Sequence, residues 1–211
     1  MTGTTMTRTT MTRTDESRMT RITRDSLLTL EAYAKTRQDF RARVLAHKKS
    51  RAVHLGEHVT LLFEDELTIR YQIQEMLRIE KTFEDAGIQD ELDAYNPLVP
   101  DGRNWKATML IEFEDVDERR RALSRLQGIE DRVWVQVEAR PRVYAIADED
   151  LERENEEKTS AVHFLRFELA PGAREELRRG ATLTVGVDHP AYTASLAVEP
   201  EIRASLLADL A

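Results

Sequence analysis

The chain contains no cysteine. That excludes disulfides, thiolate zinc sites, Cys-ligated iron–sulfur clusters and cysteine nucleophiles, together with any small secreted fold stapled by disulfides. Only eight glycines are spread over 211 residues, and they form no phosphate-cradling loop. There is no Gly-x-Ser-x-Gly elbow to carry a nucleophilic serine. No apolar run approaches the roughly 20 residues of a membrane span, and no continuous apolar core marks a secretory signal. A cytoplasmic protein with no membrane partner is the expectation. Basic charge is short as well, with 31 Lys and Arg against 39 Asp and Glu, a net −8. Such a body is not built to coat nucleic acid. Trp134, Tyr144, Phe164 and Phe167 are spaced as core and rim residues of strands, not as a base-stacking platform.

What is present begins with an unusual leader. Residues 1–24 repeat Met-Thr-Arg three times, and Arg8, Arg13, Arg18, Arg21 and Arg24 outweigh Asp15 and Glu16. The segment lacks apolar periodicity and so has nothing to offset the entropy of ordering it. It is expected to be a disordered extension, with residues 25–211 forming one domain. A helix capped by Asp25 or Ser26 is predicted to run to about His47, where His47, Lys48, Lys49 and Arg51 complement the macrodipole. A strand over 58–63 and a helix over 68–84, capped by Asp65 and closed by Gly87, follow. Further strands are predicted over 107–113, 133–138, 142–147, 161–169 and 181–188, with a charged helix over 115–127 and a last helix over 200–210. The acidic run 148–157 reads as a solvated surface, since it lacks calcium-loop spacing. Helices first and strands later predict an α+β fold: N-terminal helices packed on a mostly antiparallel sheet of about five or six strands, with a C-terminal helix.

Glu80 is the candidate with the clearest physical warrant. With Ile69 at zero on a helical wheel, Ile73, Met76, Leu77, Ile79 and Phe83 fall within roughly 80° of it, and Glu80 lands at about 20°. A carboxylate inside an apolar stripe must find a partner, take a proton or bind a metal. In the segment 161–169 the strand period of two puts His163 on the apolar face with Leu165, Phe167 and Leu169. If the helix packs on the sheet, Glu80 and His163 meet. The outcome is then a buried ion pair, with His163 or Arg166, or a metal site. Oxygen and nitrogen donors would suit non-haem iron or another divalent transition metal. Glu84, His58 and Glu64 are the further ligand candidates, with Arg78 or Arg166 behind them; Glu112, Asp188 and His189 also sit in or at the ends of strands. A Glu80 acting as a base of raised pKa is a third reading. There is no Glu-x-x-His or His-Glu-x-x-His signature.

The segments TLLFEDELTIRYQIQEMLRIE (60–80), ELDAYNPLVPDGRNWKATMLIEF (91–113) and KTSAVHFLRFEL (158–169) resemble those of a bacterial family, domain-of-unknown-function family 3501. The resemblance covers about residues 23–210. It carries no established activity and no catalytic residue. Genes of that family are similar in setting to those for rubrerythrin and for iron–sulfur proteins related to heterodisulfide reductase. The resemblance therefore implies a link to iron, peroxide or sulfur redox chemistry, or a non-catalytic accessory role beside a rubrerythrin-like or iron–sulfur partner.

Overall fold

The computed structural model describes residues 21–149 and 158–210. The segment 1–20 and most of the acidic run, residues 150–157, lie outside them. The described chain starts earlier than residue 25: Ile22 is buried, and its backbone N–H and C=O are both bonded by the Asn96 side chain, at 2.9 and 3.0 Å.

Six α-helices and nine strands are described, in an α+β arrangement. The helices are α1 (Leu30–Lys49), α2 (Glu66–Glu80), α3 (Asp85–Tyr95), α4 (Val116–Arg125), α5 (Ala173–Arg178) and α6 (Pro200–Leu207). The strands β1 (Ala52–Leu55), β2 (Val59–Glu64), β3 (Asn104–Ile111), β7 (Val162–Glu168) and β6 (Ile146–Ala147) form one antiparallel sheet in the order β1-β2-β3-β7-β6. A second has the order β5-β4-β8-β9, from β5 (Val143–Tyr144), β4 (Val133–Val137), β8 (Leu183–His189) and β9 (Tyr192–Ala197). The strands thus divide between two sheets, where one was expected. The stretch predicted as a strand over 142–147 is the point of division. Ala145 is buried and donates its N–H to Val133 at 2.8 Å, so β5 stays beside β4 while β6 crosses to β7.

Strand periodicity decides what lies between the sheets. Leu61, Phe63, Trp105, Ala107, Met109, Leu165 and Phe167 from the first sheet share one buried cluster with Val133, Val135, Leu183 and Val185 from the second. Tyr192 fastens the edges together: its hydroxyl donates to the Leu55 carbonyl at 2.5 Å and accepts from His58 N–H at 3.1 Å. A side chain at Gly56 (φ +71) would come within 2.5 Å of that hydroxyl, so the closure depends on glycine there.

The opposite face of the five-stranded sheet carries Lys106, Thr108, Phe164 and Arg166, none of them fully buried. Helices α2 and α3 lie over this face, since Met76, Glu91 and Tyr95 line one cleft with Lys106, Phe164 and Arg166. They have their own small core of Ile22, Leu27, Ile69, Ile73, Leu77, Ile88 and Leu92. Gln74 is buried and clamps Leu28, accepting from its N–H at 2.8 Å and donating to its C=O at 3.3 Å. Helix α1 is capped by Thr29, whose hydroxyl accepts from Ala32 N–H at 3.2 Å, instead of by Asp25 or Ser26. Asp65 caps α2 as expected, in a reciprocal box with Thr68.

Candidate metal centre

His163 enters the interior because it sits at a buried position of β7, opposite Met109 of β3. Its ring is fully buried, and four polar groups close around it. Nδ1 lies 2.6 Å from Asp148 Oδ2. Nε2 lies 3.0 Å from the Thr159 hydroxyl, 3.1 Å from the Ser160 carbonyl and 3.8 Å from Glu130 Oε2. The Thr159 hydroxyl also reaches Glu130 Oε2 at 3.4 Å. The Asp148 and Glu130 side chains are 8% and 10% exposed, so both carboxylates are inside the protein with the ring.

Local backbone geometry delivers each partner. Asp148 has φ +46, the left-handed region that Asp tolerates better than most residues. It joins β7 as an extra rung: its N–H donates to the Phe164 carbonyl at 2.9 Å, and Phe164 N–H donates to its Oδ1 at 2.9 Å. Asp148 therefore turns to the dry side of β7, while Glu149 falls on the other side and grips Arg166 with two bonds of 2.7 Å. Glu130 comes from a single 3-10 turn, Glu130–Arg132, immediately before β4. Thr159 is pinned through its N–H to the Leu123 carbonyl of α4 at 3.2 Å.

The donor and acceptor inventory is informative. The Ser160 carbonyl can only accept, whereas the Thr159 hydroxyl can donate or accept, so Nε2 can take part either as N–H or as a lone pair. A divalent ion bound at Nε2 would find a Glu130 oxygen, the Thr159 hydroxyl and the Ser160 carbonyl on the same side. Asp148 would hold Nδ1–H from behind, as carboxylates do for metal-bound histidines. Two ligands bound at about 2.1 Å to a common ion stand about 3.0–3.4 Å apart, so a half-ångström movement of Glu130 closes the bite.

Only His163 of the expected ligand set is in this group. Among the described residues, Glu130, Asp148 and His163 are the acidic and histidine groups whose ligand atoms converge, within 4.8 Å of one another. Glu80 is a correction. It is exposed, because α2 ends at Glu80 and Lys81 turns into the left-handed region at φ 56. The wheel angle was sound, but the helix stops there: Ile79 and Phe83 are 60% and 72% exposed. Glu80 also belongs to the helix side of the five-stranded sheet, and His163 points to the other. Glu84 is exposed just ahead of α3, and Gly87 lies inside that helix instead of closing the one before it. Glu64 is buried but satisfied by two hydroxyls, Thr68 at 2.5 Å and Thr108 at 2.7 Å. His58 is half-buried, stacked on Phe113 at 3.9 Å, with Nδ1 at 3.0 Å from the Glu112 carbonyl. Arg78 bonds Glu75, and Arg166 bonds Glu149 and Glu168. Glu112 accepts from Thr60 at 2.9 Å, Asp188 pairs with Arg142, and His189 Nε2 meets the Gln127 carbonyl at 3.0 Å.

Glu130, Asp148 and Thr159 carried little signal in the sequence. Asp148 opens what reads as a solvated acidic run, yet the strand-like residues just before it oblige it to end against β7.

The family described as "Protein of unknown function (DUF3501)" matches residues 21–210. A crystal structure of a protein of unknown function from Burkholderia pseudomallei is similar to this chain, with 61% identity and a TM-score of 0.86. That likeness covers 90% of this chain and 100% of the other. No curated protein matches.

Proposed function

The chain belongs to the DUF3501 family of proteins of unknown function, and we propose that it is a metal-binding protein whose centre is Glu130, Asp148 and His163. The observation that carries this reading is the buried imidazole with one carboxylate behind Nδ1 and a second facing Nε2. One nitrogen among oxygen donors suits a first-row divalent ion, such as non-haem ferrous iron, manganese or zinc. Asp148 fixes the ring, Glu130 supplies the compensating charge, and the absence of cysteine leaves oxygen and imidazole as the strong donors. A proton competes with the ion for Nε2, so affinity falls as pH falls.

The test is metal content after anaerobic purification from cells supplied with iron, manganese and zinc. About one equivalent of a transition ion is expected in the wild type, and Glu130→Gln should lose it while keeping cooperative unfolding. Less than about a tenth of an equivalent in the wild type overturns the reading.

A second reading, an accessory protein for an iron–sulfur or rubrerythrin-like partner, draws support from a different place. Leu28, Ile79 and Phe83 are 45%, 60% and 72% exposed. Leu28 and Phe83 line a groove of about 120 Å³ together with Leu77 of α2. Sedimentation with a purified rubrerythrin tests it: a complex lost on Phe83→Ser sustains the reading, and no complex removes it.

A further inference from the structure

The cleft between α3 and the helix-facing side of the five-stranded sheet has a volume of about 710 Å³. Met76, Tyr95, Leu98 and Phe164 supply apolar walls, while Lys106 and Arg166 come from adjacent strands. These two cations are directly opposed in the β3–β7 register, an arrangement that is unfavourable unless each charge is compensated. Arg166 is compensated: Glu149 holds it with two bonds of 2.7 Å, and Glu168 holds its other side. Lys106 is not. Among the described residues its amine has no hydrogen bond and no ion pair, although it is half-buried. Its other cross-strand neighbour, Glu64, is committed to Thr68 and Thr108.

Two further acids line the cleft. Asp93 binds Arg21 and Gln89. Glu91 has its carboxyl pushed up by burial, then by Glu80 and Asp90. The Lys106 amine is pushed down by burial and then by Arg166, against the weaker opposing fields of Glu149, Asp101 and Glu168. A half-buried amine with no hydrogen-bond partner among the described residues is a cost that an anionic ligand relieves.

We infer that this cleft binds a small monocarboxylate with an apolar body, whose carboxylate pairs with Lys106 and whose body lies against Met76, Tyr95, Leu98 and Phe164. The site is separate from the His163 group, which faces the other side of β7, and does not depend on metal binding there. Glu149 is a positioning residue: by neutralising Arg166 it leaves Lys106 as the charge a ligand meets.

The experiment uses benzoate, phenylacetate and octanoate as probes, each beside its amide, in saturation-transfer NMR and calorimetric titration of the full chain. At least one carboxylate is expected to bind, with its amide weaker by about tenfold or more. Lys106→Met, verified as folded by circular dichroism, should weaken the carboxylate by about tenfold or more, and Lys106→Arg should retain most of the affinity. Binding should also decline as pH rises and the amine loses its proton. No binding by any of the three acids, or amides as tight as acids, overturns the inference in the wild type alone. An unchanged affinity in folded Lys106→Met overturns the role of Lys106.

Discussion

Two buried charged clusters in this protein have nearly the same ingredients and opposite characters. At the junction of α1, β2 and α6, Arg51 is 1% exposed and lies between Asp209 at 2.5 Å and Asp65 at 3.5 Å. Around β7, His163 lies between Asp148 and Glu130. Each cluster sets a buried nitrogen base between two carboxylates, and in the first the half-buried His47 also meets Asp65, at 2.5 Å. The guanidinium is permanently charged and has donors only. Its remaining N–H groups are taken by the Phe63, Glu64 and Ser205 carbonyls, at 2.9, 3.1 and 3.3 Å. It can tie chain segments together and cannot coordinate an ion. The imidazole can release a proton and expose a lone pair. The identity of the base held between the two acids, not the number of acids, separates a strut from a site.

Breaking the strut should give the strongest response. Arg51→Met leaves two carboxylates in the interior without their cation, and a loss of about 3–5 kcal/mol is expected in urea unfolding. The same change should leave metal content untouched; a loss of metal there would blur the distinction between the clusters.

Acid titration sharpens the comparison at a smaller scale. Burial pushes the Asp209 carboxyl up to about 6 against the opposing pull of Arg51, and the neighbouring Asp65 adds to the rise. Asp65 moves the other way, held down by Arg51, its Thr68 cap and His47 against its own burial. For Asp209 the folded state binds a proton more tightly than the unfolded chain. Its contribution is complete below pH about 4 and disappears as pH rises through about 6, worth up to about 3 kcal/mol. The contribution of Asp65 has the reverse sign and is lost only as pH falls below about 4. Wild-type stability measured relative to Asp209→Asn should therefore fall between pH about 4 and 6.5. A flat difference would show that Asp209 is not titrating there.

The mildest prediction concerns Glu80. Exposed at a helix C-terminus and close enough to Glu91 to raise its carboxyl, it is unfavourably placed with respect to the macrodipole. Glu80→Gln should change stability by no more than about 0.5 kcal/mol, in the stabilising direction, with metal content unchanged. A loss of several kcal/mol would return Glu80 to the interior.

These residues also show how far local pattern reaches. The period of 3.6 correctly selects Ile69, Ile73 and Leu77 as the buried line of α2. It gives an angle but no length, and a left-handed Lys81 ends the helix where the line would have continued. The period of two correctly buries His163, Leu165 and Phe167. It does not say which layer covers that face, so the expected helix above His163 proved to be the second sheet. The α+β class follows from the order of helical and extended segments. The division at Ala145 does not, because two short strands and one longer one have the same alternation.

Composition and periodicity alone settled that this is an acidic α+β chain without thiol chemistry, and that His163 must be buried. Both follow from residue type and backbone geometry, which act over a few residues. The partners of that histidine were a matter for the folded chain. Glu130 and Asp148 lie 33 and 15 residues before His163 in sequence, and they arrive there because two sheets close on each other and a left-handed Asp adds a rung to β7. Contacts of that range depend on how layers stack, which no local period encodes.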